Sequence, residues 1–476
     1  MAGVSKNFMP IPISKIILTG VMAAMAATLS AVASTPQQSG SPTAAEADPQ
    51  IVAALREISP ARIQQTIEKL AGFYTRQTLS SDVPPIGDKG INAAAVWIQG
   101  ELQRISSQCG DCLEVRTDQF LQPPGTRIPQ PTTITNVYAI LRGTDPANAG
   151  RMYVVTGHYD SRNSDPIDAA GQAPGANDDA SGTAVSLECA RVLSKHRFPA
   201  TIIFLTVAGE EEGLYGSAHF AKMAKAVGWG IEAVLNNDIV GGDRTPGDTL
   251  QDPHVVRVFS EGISSTASEE ELRKTRSLGG ESDGPSRQLA RYVEDVAKEY
   301  LAAEDFRAML VFRHDRYLRG GDHLSFNEQG YAAVRFTEFR ENYNHQHQNV
   351  RTENGIEYGD LPKFVDYDYT AKVARLNAAT LAELASAPAP PVDVRLLTKE
   401  LQNDSTLEWK ASPGGLATGY EVLWRDTTAP DWEHVKSVGN VTRVTVPVSK
   451  DNVIFAVRAV DAKGHRSSAM VPLPER

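Results

Sequence analysis

Arg151-Met-Tyr-Val-Val-Thr-Gly-His-Tyr-Asp160 and Thr201-Ile-Ile-Phe-Leu-Thr-Val-Ala-Gly-Glu-Glu-Glu-Gly213 are apolar, β-branched runs that each end abruptly in polar and acidic residues. Runs this short without alternation of polar and apolar residues predict strands covered on both faces. Between and around them the pattern switches to helical periodicity. Helical periodicity dominates residues 51–75 and 90–106. Strands are expected at 136–142, 151–156, 201–208 and 233–236, with helices at 181–196 and 217–227 between them. Further strands at 309–312 and 332–336 bracket a helix near 286–302. Strands alternating with helices predict an α/β domain, a mostly parallel mixed sheet flanked by helices. In such a sheet the ligand site lies beyond the carboxyl ends of the strands.

What stands at those ends is His158 and Asp160 after the first run, Glu210, Glu211 and Glu212 after the second, and Asp238 after residues 233–236. Pro174-Gly-Ala-Asn-Asp178-Asp179-Ala-Ser-Gly182 enters the helix at 181, and Asn344-His345-Gln346-His347 follows the last strand. Singly, an Asp before a helix reads as a cap, a Glu run as a solvated face and a histidine as a satisfied polar group. Gathered at one sheet edge, the like charges repel unless a cation neutralises them. A mixed His and carboxylate set suits zinc or a similar divalent ion, whereas calcium and magnesium prefer oxygen ligands alone.

These motifs, together with Gly213-Leu-Tyr-Gly-Ser217 and Gly321-Asp-His323, resemble the zinc-dependent M28 peptidases, a family that includes secreted bacterial aminopeptidases. The resemblance runs in order over about half the chain. It implies two Zn2+ ions per chain. His158 and Asp238 would be terminal ligands of one, Glu211 and His347 of the other, and Asp178 the bridge. It makes Glu210 the general acid/base and Asp160 the carboxylate that orients the His158 imidazole. The Glu run is one residue longer than the family's pair. Anchoring on the Gly-Leu-x-Gly-Ser that follows selects Glu210 and Glu211 and leaves Glu212 a solvated bystander. The last ligand lies in His345-Gln346-His347, with His347 preferred to His345. The implied activity is that of a dinuclear zinc exopeptidase, an aminopeptidase acting on peptide substrates. The alternatives are a carboxypeptidase, a glutaminyl cyclase, or a non-catalytic receptor-like binding protein on the same fold.

The 476-residue chain carries 47 Lys and Arg against 58 Asp and Glu, a formal net charge of −11, which argues against a nucleic-acid partner. Lys6 and Lys15 precede an apolar run that ends in Ala31-Val-Ala33, the pattern of a signal peptide over residues 1–33. This predicts a secreted or periplasmic protein with no stable membrane anchor. A flexible linker is expected over 34–50, the main domain over 51–385, and a Pro/Ala linker over 386–391. Residues 392–476 have short alternating strands between turn signals and predict a small all-β sandwich. Trp409, Tyr420-Glu-Val-Leu-Trp424 and Phe455-Ala-Val-Arg-Ala-Val460 resemble a fibronectin type III module. It is expected to be a passive spacer or to bind carbohydrate or a protein partner. Cys109 and Cys112 are close enough for a small-loop disulfide, and Cys189 lies in a helical apolar pattern that predicts a buried free thiol.

Overall fold

The computed structural model describes residues 47–82, 89–317 and 319–475. The expected leader and most of the first linker lie outside them. Helix α1 (Pro49–Leu55) starts inside the expected linker, capped by the Asp48 side chain. The helical stretch at 51–75 forms two helices, because Ser59 caps a new start and Pro60 opens α2 (Pro60–Ala71). Helix α3 (Ile91–Gln108) follows, and the Cys109–Cys112 disulfide closes the turn after it.

The main sheet has eight strands. They are β1 (Leu113–Gln122), β2 (Thr132–Leu141), β3 (Arg151–His158), β4 (Thr201–Val207), β5 (Gly230–Asn237), β6 (Val255–Ser260), β7 (Arg307–Val311) and β8 (Ala333–Glu338). Their order is β1-β2-β4-β3-β5-β8-β6-β7. The four central strands, β4, β3, β5 and β8, are mutually parallel. β2 joins β4 antiparallel and β6 joins β8 antiparallel, so the sheet is mixed, with its parallel part in the middle. The parallel strands are buried on both faces. In β3, Tyr153 and Val155 join the larger core cluster, while Met152 and Val154 point to the other side. That is why residues 151–160 carry no alternation.

One face is covered chiefly by α4 (Ala180–Leu193), the other by α6 (Tyr215–Ala226) behind the one-turn helix α5 (Glu210–Gly213). In chain order α7 (Glu269–Leu278), α8 (Pro285–Tyr300), α9 (His323–Asn327) and α10 (Tyr367–Ser386) complete the helical layers. Cys189 of α4 is buried and free. Helix α4 presses so closely on the sheet that a Cβ at Gly182 would stand 2.1 Å from the Asn237 carbonyl. No helix among the described residues is long and apolar enough to cross a membrane.

After α10 and a small hairpin before it, β9 (Arg351–Glu353) with β10 (Ile356–Tyr358), the chain forms two further sheets. One contains β11 (Val392–Leu397), β12 (Ser405–Lys410), β15 (Arg443–Val446) and β17 (Leu473–Glu475). The other contains β13 (Gly419–Asp426), β14 (His434–Gly439) and β16 (Val453–Val460). Leu407 and Trp409 of the first sheet share a core with Tyr420, Val422 and Phe455 of the second. This unit is not a detached spacer. It is docked on α8 and the turn before it, where Asp283 lies 2.7 Å from Arg425 and the Tyr292 hydroxyl of α8 donates to the Arg466 carbonyl at 3.0 Å.

Candidate metal centre

The carboxyl ends of β3, β4 and β5 deliver His158, the Glu210 turn and Asp238 to one place. Gly209 turns the chain out of β4 with φ +78°, a left-handed conformation that a side chain would strain. The loop after β8 adds His347, and the approach to α4 adds Asp178, joined to Asp179 by a cis peptide bond. Two groups of donors result. In one, His158, Glu210 and Asp238 place ligand atoms within 4.8 Å of one another. In the other, Asp178, Glu211 and His347 do so.

Asp178 spans both groups. Its Oδ1 lies 3.2 Å from His158 Nε2 and its Oδ2 lies 2.9 Å from His347 Nε2. Glu211 Oε2 is 3.1 Å from the same His347 nitrogen. Asp238 Oδ1 and Glu210 Oε2 stand 3.9 Å and 4.0 Å from His158 Nε2. His345 is not among these donors, since its ring stacks on Phe364 and its Nδ1 meets Asp243.

The donor set fits divalent ions. His158 is fully buried, yet neither ring nitrogen makes a hydrogen bond, and Glu211 Oε1 is likewise without a hydrogen-bond partner. Buried polar atoms ordinarily find partners, so His158 Nε2 and Glu211 Oε1 mark positions facing a cation. Asp160 is fully buried, with Oδ1 3.4 Å from His158 Nδ1. Its Oδ2 accepts from the Glu211 backbone N–H at 3.1 Å, which ties the imidazole to the Glu210–Glu211 turn. Burial foremost, then the neighbouring Asp238, Glu211 and Asp322, push the Glu210 carboxyl well above the usual carboxylate range against the pull of His158. Burial would also raise Asp178, but His347 and His158 hold it well below its ordinary value.

Glu212 corrects an expectation. It is buried, not solvated, and accepts from Gln77 Nε2 at 2.9 Å. On the four-residue helix α5 the exposed position falls to Gly213, and Glu212 turns inward onto Gln77. Burial, and next Asp160, raise its carboxyl well above the ordinary range.

Several positioning residues escape a reading by motif. The buried Arg76 guanidinium donates to the Tyr159, Pro174 and Gly175 carbonyls at 2.6, 2.6 and 2.8 Å, clamping together the loops that carry His158 and Asp178. Asp360 accepts from the Asn177 and Asp178 backbone N–H groups at 2.8 and 2.7 Å. Asp179 accepts from His158 N at 3.0 Å and Gly182 N at 2.9 Å, joining β3 to α4. Arg335 of β8 lies 2.8 Å from Asp238. Arg76, Asp360 and Arg335 act from far away in sequence, and only the Asp178-Asp179 pair carried a local signal.

Fold and site together define a metallopeptidase-like α/β centre. Residues 136–366 match the sequence profile of peptidase family M28. A "probable zinc metalloprotease" of Pyricularia oryzae is 47% identical over 434 residues, covering 90% of this chain and 85% of the relative. Another of that name, from Pyrenophora teres f. teres, is 45% identical over 430 residues, covering 90% and 87%. Among solved structures, the Legionella pneumophila LapA aminopeptidase aligns with 71% of this chain and 75% of its own at 21% identity and a TM-score of 0.48. The chain belongs to peptidase family M28.

Proposed function

We propose that the chain is a secreted dinuclear zinc exopeptidase that hydrolyses peptides, with the aminopeptidase direction implied by its motifs. The observation that carries the dinuclear reading is the two-sided placement of Asp178, one oxygen toward each donor group. His158 and Asp238 would hold one ion, Glu211 and His347 the other, and Asp178 both. Two zinc ions held there would acidify an attacking water and polarise the scissile carbonyl. Glu210 takes the proton of that water and passes it to the leaving amine. Asp160 keeps the His158 ring turned so that Nε2 faces the site.

A carboxypeptidase direction is the second reading, favoured by the arginines that line the pocket. Residues 1–33 are proposed to be a cleaved signal peptide. Residues 392–476 are proposed to form a fibronectin type III-like module, whose outer surface is available to a carbohydrate or protein partner.

The test is metal analysis with peptide assays. The purified chain is expected to bind two zinc ions and to lose hydrolysis on exhaustive chelation. Asp178→Asn keeps the shape but removes the charge both ions share, so it is expected to release both and to leave no measurable turnover. One tightly held ion with full activity, or activity that survives chelation, would overturn the dinuclear reading.

A further inference from the structure

The pocket above the two donor groups has a volume of about 380 Å³. Its wall carries four arginines, Arg127, Arg162, Arg316 and Arg319, while Leu214 is its one large apolar side chain among the described residues. That lining is a poor match for a bulky apolar residue of a substrate.

Two of the arginines are committed within the protein. Arg316 reaches Asp315 at 3.1 Å, Glu341 at 2.8 Å and the Gly320 carbonyl at 3.0 Å. Arg162 lies 3.0 Å from Glu211 Oε2 and 2.7 Å from His347 Nδ1. The other two hold cationic capacity in reserve. Arg127 is exposed and is tethered by one N–H to the Glu211 carbonyl at 2.6 Å, a neutral partner that leaves its charge uncompensated. Arg319 lies 2.7 Å from Glu341 Oε2, the oxygen that Arg316 already approaches, while Arg257 takes Oε1 at 3.0 Å. Three guanidiniums therefore share one carboxylate.

The acidic side of the wall offers no counterweight. Its carboxylates are Asp178, Glu210, Glu211 and Asp238. On the reading above each of them holds metal or moves a proton, so all four are engaged at the metal centre. Guanidinium groups bind carboxylates through paired, charge-assisted hydrogen bonds.

We infer that the substrate carries a carboxylate beside the scissile bond, and that Arg127 and Arg319 receive it. This deepens the peptidase reading and rests on it. The carboxylate has two sources, the free α-carboxylate of a terminal residue or the side chain of an acidic residue. Both present the same chemistry to the two arginines.

Matched peptides separate the sources. Ala-Gln against Ala-Gln-amide varies only the α-carboxylate. Ala-Glu-amide against Ala-Gln-amide, and Glu-Ala-amide against Gln-Ala-amide, vary only a side chain. With the zinc-loaded wild type, kcat/KM is expected to favour the carboxylate member of at least one pair by about tenfold or more. In Arg127→Gln and Arg319→Gln that ratio is expected to fall toward unity, mainly through KM. Ratios within about twofold in every pair would overturn the inference. So would variants that slow both members of a pair equally.

Binding is read independently of turnover by titrating the same peptides calorimetrically into the zinc-loaded Glu210→Gln chain, alone and combined with each arginine variant. The same order of affinity is expected, and its absence would overturn the inference. If none of the peptides is cleaved by the wild type, the hydrolase reading fails, while the calorimetric order still decides whether a carboxylate is recognised.

Discussion

Glu210→Gln is expected to keep its metals, its fold and its affinity for peptides while kcat falls by about 10²- to 10⁴-fold. The substitution is nearly isosteric and neutral. What the amide lacks is the ability to take and return a proton. Glu210 is also the more open of the two neighbours, its side chain 13% exposed against 4% for Glu211, as a group that meets substrate should be.

Glu211→Ala is expected to behave differently. It removes a donor 3.1 Å from His347 and strips Arg162 of the carboxylate 3.0 Å away. Metal content and stability should fall together, with activity lost in proportion to metal. Metal analysis, thermal unfolding and steady-state kinetics on both variants distinguish the two roles. A metal-depleted Glu210→Gln beside a fully loaded but inactive Glu211→Ala would shift the roles to Glu211 and Glu212. The burial of Glu212 against Gln77 weighs against that shift.

The parts of this site that a sequence can carry are those set by one strand and its following turn. His158, Glu210, Glu211 and Asp238 each stand directly beyond an apolar run, so the run announces the strand and the strand end announces the donor. Asp178 and His347 lie on loops, one entering the helix at 181 and one after the last strand, so the pattern brought them to the sheet edge while their roles followed only from the family resemblance.

Arg76 and Asp360 carry no signal of either kind. Arg76 grips carbonyls 83 to 99 residues away, and Asp360 grips backbone 182 and 183 residues away. Backbone partners leave no mark in composition. Strand β1 was missed because it is a sheet edge whose outer half is largely exposed, so Glu114, Arg116 and Asp118 interrupt its apolar residues. Strand β6 is only six residues long and holds Arg257. The pattern of strands after residue 392 was legible, but its attachment to α8 was not, since charged residues on a surface helix look the same whether water or another sheet faces them.

Asp283→Ala is expected to lower the free energy of unfolding by about 3–5 kcal/mol, the scale for removing one partner of a buried ion pair. Asp283 lies 2.7 Å from Arg425 of the sandwich and 3.5 Å from Arg291 of α8, with the three side chains 4%, 2% and 1% exposed. Burial, and next Arg425, already push the Arg291 guanidinium down to about 10, so these two cations depend on the carboxylate between them. Removing it leaves two guanidiniums facing each other out of water. Arg425→Met alone should also destabilise, but in the Asp283→Ala background it removes one of the stranded charges and should cost much less or restore stability. Denaturant unfolding of the four chains of this cycle measures that coupling. A cost below about 1 kcal/mol for Asp283→Ala, or strict additivity of the two changes, would mean the sandwich merely abuts the peptidase domain. The same contact also governs truncation. A chain ending at Ser386 loses Arg425, the Pro430 carbonyl that Arg291 Nε reaches at 2.7 Å, and the Arg458 partner 3.2 Å from Asp295. Helix α8 packs against β6, β7 and β8, so its exposed face would loosen the strand that carries Arg335 to Asp238. Truncation is therefore expected to lower the stability of the chain, although the donors proposed for the ions all precede residue 348.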